Sequence, residues 1–156
     1  MLKILFVCTG NTCRSPLAAA LFNAAAKDEL PFKVTASSAG LFALPGESAS
    51  GPVQQLLRLE DIEINSHRSA VVDPGNTEEA DFILVMTAEH HRHLLLRYPH
   101  LSIKTFLLKE FAGNLSDSSD VEDPIGCGVE KYSLVLEDIR KAVKKILKKF
   151  KEGEQH

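Results

Sequence analysis

Cys8 and Arg14 stand six positions apart in the run Cys8-Thr9-Gly10-Asn11-Thr12-Cys13-Arg14-Ser15, which follows directly on the apolar stretch Leu2 to Val7. A cysteine closing a buried strand, with a helix starting just beyond it, leaves a short loop whose backbone N–H groups can converge on one point. Gly10 and Asn11 are the two residues of the run best suited to the left-handed backbone that such a curl requires. Converging amides and a helix N-terminus form an anion site, and Arg14 adds a planar fork matched to phosphate oxygens. The same positive field would favour the thiolate of Cys8. A thiolate beneath a bound phosphoryl group is a nucleophile in position. The binding set expected on this reading is Thr9, Gly10, Asn11, Thr12, Cys13, Arg14 and Ser15.

Spacing alone is a weak signal, because a Cys followed six positions later by Arg arises by chance about once in ten chains of this composition. The context strengthens it: a strand before the loop, Gly-Asn inside it, and Ser15-Pro16 after it as a helix N-cap and first-turn pair. A thiolate phosphatase also needs a general acid, since its leaving group should not depart as an anion. Asp123-Pro124 is the candidate. Pro124 holds Asp123 extended and stiffens the acidic loop 113–128, which helps to aim a carboxyl group into a cleft. Two other clusters offer less. His90-His91-Arg92-His93 presents His90 and His93 on one helix face without a carboxylate or cysteine to complete a metal site. Ser116 to Asp123 lacks the spacing and glycine of a calcium loop. No metal or cofactor is expected.

The elements that must position these residues alternate along the chain. Leu2 to Val7 is a near-continuous apolar run, the pattern of a strand covered on both faces. An alanine-rich helix follows Pro16. Strands are expected at 33–38, 81–86 and 103–108, helices at 48–60 and 88–97, and a loop at 40–46. Leu136, Ile139, Val143, Ile146 and Phe150, spaced 3, 4, 3 and 4, form one stripe of a long amphipathic helix over 130–150. This order predicts an α/β fold: a doubly wound three-layer sandwich around a four-stranded parallel sheet, with a phosphate-binding loop after the first strand. Ligands of such folds bind at the carboxyl ends of the strands, where the connections part.

Composition bounds the reading. The chain of 156 residues suits one domain over 1–156 and leaves no room for two cores. Its 18 Lys and Arg against 21 Asp and Glu leave a net charge of -3, a poor footprint for nucleic acid. No apolar run suits a membrane span, and the first is too short for a signal-peptide core, so a cytoplasmic protein is expected. Three cysteines, an odd number, argue against a disulfide-stapled secreted fold.

VCTGNTCRSP near the N-terminus, Ser38-Ala39-Gly40 after the second predicted strand, and Asp123-Pro124 before the last helix resemble the low-molecular-weight protein tyrosine phosphatase family, in order and spacing across essentially the whole chain. The loop CTGNTCRS is more similar still to the bacterial protein-arginine phosphatase branch. There a threonine, here Thr12, stands where tyrosine-specific members carry an aliphatic residue. The resemblance implies Cys8 as the nucleophile that becomes a thiophosphate ester, Arg14 and the loop amides on the equatorial oxygens, and Asp123 as acid and then base. It implies Ser15 as hydrogen-bond donor to the sulfur, and Asn11, Ser38 and His67 as braces of the loop. Arginine-phosphorylated proteins would be the substrates, inorganic phosphate the product, and the protein a monomer.

Thr12 would set specificity. It is smaller and more polar than isoleucine, and can meet a phosphoguanidinium group that an apolar wall would leave unsatisfied. Cys13 would pair reversibly with Cys8 and shield it from irreversible oxidation. Cys127 has no evident partner. Family members often carry an aromatic residue after Asp-Pro, but Ile125 follows here, leaving Phe42 as a rim aromatic or a buried loop residue. The alternative is a tyrosine phosphatase of the same family. An arsenate reductase would need a further cysteine pair, and Phe82 to Glu89 contains none. A phosphoryl-carrier domain would not need Asp123, and hydrolysis of a generic aryl phosphate, abolished in Cys8→Ser, would separate both it and a phosphate-reading module without catalysis from an enzyme.

Overall fold

The computed structural model describes residues 1–113 and 119–153. Four parallel strands form one sheet in the order β2-β1-β3-β4. They are β1 (Leu2–Cys8), β2 (Val34–Gly40), β3 (Phe82–Val85) and β4 (Thr105–Leu107). Six helices accompany them among the described residues: α1 (Arg14–Glu29), α2 (Gly51–Arg58), α3 (Pro74–Glu79), α4 (Ala88–Arg97), α5 (Leu108–Phe111) and α6 (Val129–Lys151). The predicted α/β class and four-stranded parallel sheet are present. No helix among the described residues is long and apolar enough to cross a membrane.

Apart from Lys3 at its exposed start, β1 is apolar because it lies between two strands, and Ile4 to Cys8 are buried on both faces. Its side chains alternate between two cores. Ile4, Phe6 and Cys8 face the layer of α1 and α6, where Phe6 meets Phe22 and Phe22 meets Phe150 edge-on at 6.3 Å. Leu5 and Val7 face the opposite layer, with Leu94, Leu101 and Leu107. The strand order reverses at β1, so the loop leaving Cys8 sits where the connections part. In register, Cys8 pairs with Gly40 at the carboxyl edge.

Several expected boundaries shift. Ser15 is not an N-cap: α1 begins at Arg14, its N-cap is Cys13 without a side-chain cap, and the Ser15 hydroxyl is used elsewhere. The helix expected at 48–60 begins at Gly51, because Ser50 is extended and its N–H donates to the Thr12 carbonyl at 2.8 Å. The strand expected at 103–108 shrinks to three residues. A 3-10 helix over Pro99–Lys104 precedes it, leaving Ile103 exposed, and α5 takes Leu108. Apolar runs this short do not distinguish strand from helix by periodicity. α3 was not expected, although Asp73-Pro74 carries its signal: Asp73 and Asn76 form a reciprocal capping box. The stripe of α6 is buried as expected, joined by Tyr132, Val135, Ala142 and Leu147. Part of the acidic stretch 116–123, namely 116–118, lies outside the described residues.

Candidate active site

The loop after β1 is built around Asn11. It adopts the left-handed conformation at φ 58° and is fully buried. Short polar side chains tolerate that region best among non-glycine residues. Its amide has one possible orientation: the Ala70 N–H donates to Oδ1 at 2.9 Å, so Nδ2 faces Ser15 and donates to Oγ at 2.8 Å. Because Ser15 Oγ accepts that bond, its own proton points to the Cys8 sulfur, 2.9 Å away, or to the Ala39 carbonyl at a longer 3.5 Å, and the sulfur is the nearer acceptor. The Asn11 carbonyl can only accept, so His67 Nε2 carries the proton it donates there at 2.8 Å. Two of the expected braces, Asn11 and His67, are thus in contact with the loop. Ser38 is not: it lies in β2 in register with Phe6, and its hydroxyl forms no hydrogen bond among the described residues.

Gly40 explains the small residue at the end of β2. A Cβ there would lie 2.5 Å from the Thr9 carbonyl oxygen and 3.0 Å from the Asn11 nitrogen. Both are backbone atoms and cannot rotate aside. The N–H groups of Leu41 and Phe42 donate to the Cys8 and Thr9 carbonyls at 3.0 Å each, joining the loop to the chain beyond β2.

Arg14 is 5% exposed and links the loop to the acidic segment. Nη1 donates to the Val121 carbonyl at 2.9 Å, while Nη2 lies 3.5 Å from Asp123 Oδ2 and 3.5 Å from Thr9 Oγ1. The acidic segment is pinned in turn: Val121 N–H donates to the Met86 carbonyl at 2.9 Å, and Ala88 N–H to Asp120 Oδ1 at 2.8 Å. The Ile125 N–H donates to Asp123 Oδ1 at 3.1 Å, an Asx turn that leaves Oδ2 toward Arg14. Cys8, Arg14 and Asp123, 115 positions apart at the extremes (123 − 8), are thus drawn to one place through the loop and Arg14.

Cys13 is buried and its thiol is pushed up to about 12 by burial, with Cys8 and Asp123 adding to the shift. Thr12 is half-buried, and its hydroxyl forms no hydrogen bond among the described residues. Phe42 and Ile125 are both 57% exposed. Phe42 is therefore not a buried loop residue. Its ring meets His93 edge-on at 5.5 Å and carries the Arg97 guanidinium at 5.2 Å. Cys127 is exposed, with a free thiol.

One polar residue of the site escapes the sequence motifs. His90 is buried, its Nε2 is 2.8 Å from Thr9 Oγ1, and burial followed by the Arg14 charge pushes it down to about 4. The sequence signal is spacing: His90 stands four residues before Leu94, which puts the two on one face of α4, and the structure buries both. Taken together, a hydroxyl-supported sulfur attacking as thiolate, a buried guanidinium, and a carboxyl group in its protonated form can attack, hold and protonate a phosphoryl compound.

Comparison with known proteins agrees with this geometry. Residues 3–156 match the family described as low molecular weight phosphotyrosine protein phosphatase. A protein-arginine-phosphatase of Geobacillus stearothermophilus is 37% identical over 94% of this chain and 95% of its own length. The low molecular weight protein-tyrosine-phosphatase PtpB of Staphylococcus epidermidis is 37% identical over 96% of this chain and 99% of its own. A solved structure of a YwlE arginine phosphatase variant with a phosphorylated active-site serine superimposes with a TM-score of 0.90. It is 33% identical and covers 97% of each chain. Matched by the family's model over residues 3–156 and 37% identical to a relative across nearly the whole length of both, the chain belongs to the low molecular weight phosphotyrosine protein phosphatase family.

Proposed function

We propose that this chain is a cytoplasmic protein-arginine phosphatase working through a phosphocysteine intermediate. The observation that carries the mechanism is the Ser15 hydroxyl at 2.9 Å from the Cys8 sulfur, the nearer of the two acceptors in reach of its proton. The Cys8 thiolate attacks phosphorus and the P–N bond breaks. The electron pair leaves with the guanidine nitrogen, which takes the proton of the Asp123 carboxyl group. Arg14 and the loop amides hold the equatorial oxygens, where charge resides in the transition state. Asp123, now a carboxylate, removes a proton from the water that attacks the phosphocysteine. The P–S bond breaks, the pair returns to sulfur under the Ser15 hydroxyl, and inorganic phosphate leaves.

Thr12 supports phosphoarginine over phosphotyrosine, because its hydroxyl suits a polar phosphoguanidinium group. A basic nitrogen leaving group also makes an acid such as Asp123 indispensable. A thiolate enzyme with free cysteines fits the reducing cytoplasm. The exposed Phe42 favours the second reading, a tyrosine phosphatase, since it offers a flat apolar surface to an aromatic ring. Competition between a phosphoarginine-bearing and a phosphotyrosine-bearing protein decides between them. Faster phosphate release from phosphoarginine is expected; equal or reversed preference would overturn the arginine reading. Activity retained in Cys8→Ser would overturn the mechanism.

A further inference from the structure

We propose that His90 is a positioning residue of this site, acting through the Thr9 hydroxyl on Arg14. The inference rests on the phosphatase reading only in so far as Arg14 binds the phosphoryl group.

Thr9 Oγ1 has two lone pairs and one proton. Arg14 Nη2, at 3.5 Å, can only donate to it, and His90 Nε2 stands on its other side at 2.8 Å. The His90 Nδ1 atom is buried and has no hydrogen-bond partner among the described residues. A proton on Nδ1 would be a buried donor without an acceptor, the costlier kind of orphan, whereas a bare lone pair there is better tolerated. The proton therefore belongs on Nε2, and His90 donates to Thr9. Both Thr9 lone pairs are then engaged, by His90 and Arg14, and the hydroxyl is fixed as an acceptor facing the guanidinium. Its own proton remains available to an oxyanion in the loop.

The surroundings keep this arrangement rigid. The Thr9 carbonyl accepts from Phe42 N–H at 3.0 Å, leaving the side chain little freedom beyond one torsion. The His90 N–H donates to Thr87 Oγ1 at 3.1 Å in the first turn of α4. That turn is itself joined to Asp120. Four charged or titratable groups act on the imidazole: Arg14, Asp120, Asp123 and His93. Burial and Arg14 prevail and keep it neutral, which the donor assignment requires.

The test uses the whole protein with inorganic phosphate as a competing ligand and p-nitrophenyl phosphate as substrate. His90→Leu should weaken phosphate binding about tenfold, the loss of one buried hydrogen bond. His90→Gln, whose amide can donate to the same oxygen, should recover most of it. Thr9→Val should lose a similar factor, and adding His90→Leu to Thr9→Val should cost nothing more. Two results would overturn the proposal: losses that multiply in the double variant, or phosphate affinity unchanged in a folded His90→Leu protein. If His90→Leu does not fold, nitrogen NMR of the native imidazole decides instead. A proton on Nδ1 refutes the assignment, and a proton on Nε2 upholds it. The phosphate titration reads His90 even where no turnover is found, so failure of the phosphatase reading would be seen separately.

Discussion

The backbone N–H of Ala70 donates to Oδ1 of Asn11 at 2.9 Å, and this bond across 59 residues turns the other end of the amide toward the Ser15 hydroxyl. With Nδ2 donating to Ser15, the Ser15 proton has two acceptors in reach, the Cys8 sulfur at 2.9 Å and the more distant Ala39 carbonyl at 3.5 Å. Asn11→Asp replaces that donor with a second acceptor, which would draw the Ser15 proton away from sulfur. The expected result is a kcat lowered by about tenfold or more, with KM changed less, and a stability loss of about 1–3 kcal/mol for the buried unpaired group. Steady-state kinetics with p-nitrophenyl phosphate and urea unfolding measure both. An unchanged kcat would show that the hydroxyl direction does not matter.

Gly40 tests whether packing against the loop or backbone torsion requires a glycine. Its φ is not positive, yet a Cβ would stand 2.5 Å from the Thr9 carbonyl oxygen. Gly46 is the converse, with φ 86° and nothing within 4 Å of an added Cβ. Gly40→Ala should cost about 1–3 kcal/mol by overpacking and also displace the loop, so activity falls with stability. Gly46→Ala should cost about 1–2 kcal/mol from the left-handed backbone alone and leave kcat intact. Equal kinetic effects in the two variants would contradict this division.

What the sequence made legible was local. A continuous apolar run, an alanine-rich stretch after Ser15-Pro16 and a 3-4 stripe ending at Phe150 each carry their structure in a few neighbouring residues, and each is where it was expected. Cys8, Arg14 and Asp123 are candidates on chemistry and spacing, and the fold brings Arg14 to within 3.5 Å of Asp123. The missing parts are contacts whose partners lie far apart in the chain. Thr9 and His90 are 81 positions apart, and Asn11 and Ala70 are 59 apart. Nothing in a period of 2 or 3.6 announces such pairs. His90 stood in a histidine-rich run that invited a metal reading, whereas its burial one turn before Leu94 was the more useful signal. Ser15 misled for a related reason: its hydroxyl looked like a helix cap but is committed to sulfur.

His90 also predicts how stability depends on pH. Its value is about 4 in the folded protein against 6.5 for the free side chain. Above 6.5 neither state binds the proton, and the residue makes no demand on folding. As pH falls from 6.5 toward 4, the unfolded chain takes up a proton that the folded protein does not, so stability declines through that window. The decline is at most about 3 kcal/mol. His90→Gln should flatten this part of the profile. Urea midpoints of the two proteins from pH 4 to 7.5 measure it, and parallel profiles would exclude His90 as the source.

Thr12 predicts selectivity. The half-buried side chain presents a hydroxyl with no hydrogen bond among the described residues, and isoleucine would replace it with an apolar wall. Thr12→Ile should lower kcat/KM for phosphoarginine about tenfold or more, because the guanidinium donors lose a polar neighbour, while phosphotyrosine turnover holds or rises. Side-by-side kinetics on both substrates measure the ratio. An unchanged ratio would remove Thr12 as the determinant.

Cys13 predicts a redox response. It lies buried in the loop beside Cys8, and its thiol, pushed up to about 12, is protonated at neutral pH and a poor target for direct attack. Peroxide should therefore oxidise Cys8 first, to a sulfenic acid. The Cys13 sulfur then displaces its hydroxyl, and the thiol proton leaves with that hydroxyl as water, giving a Cys8–Cys13 disulfide. A thiol reductant would restore activity. Cys13→Ser removes the trap, so the same exposure should carry Cys8 on to sulfinic acid and lose activity for good. Mass spectrometry of peroxide-treated protein distinguishes the two products, and Cys127, exposed and distant in sequence, serves as the control thiol. Full recovery of Cys13→Ser by reductant would mean that Cys13 fills space at the start of α1 and protects nothing.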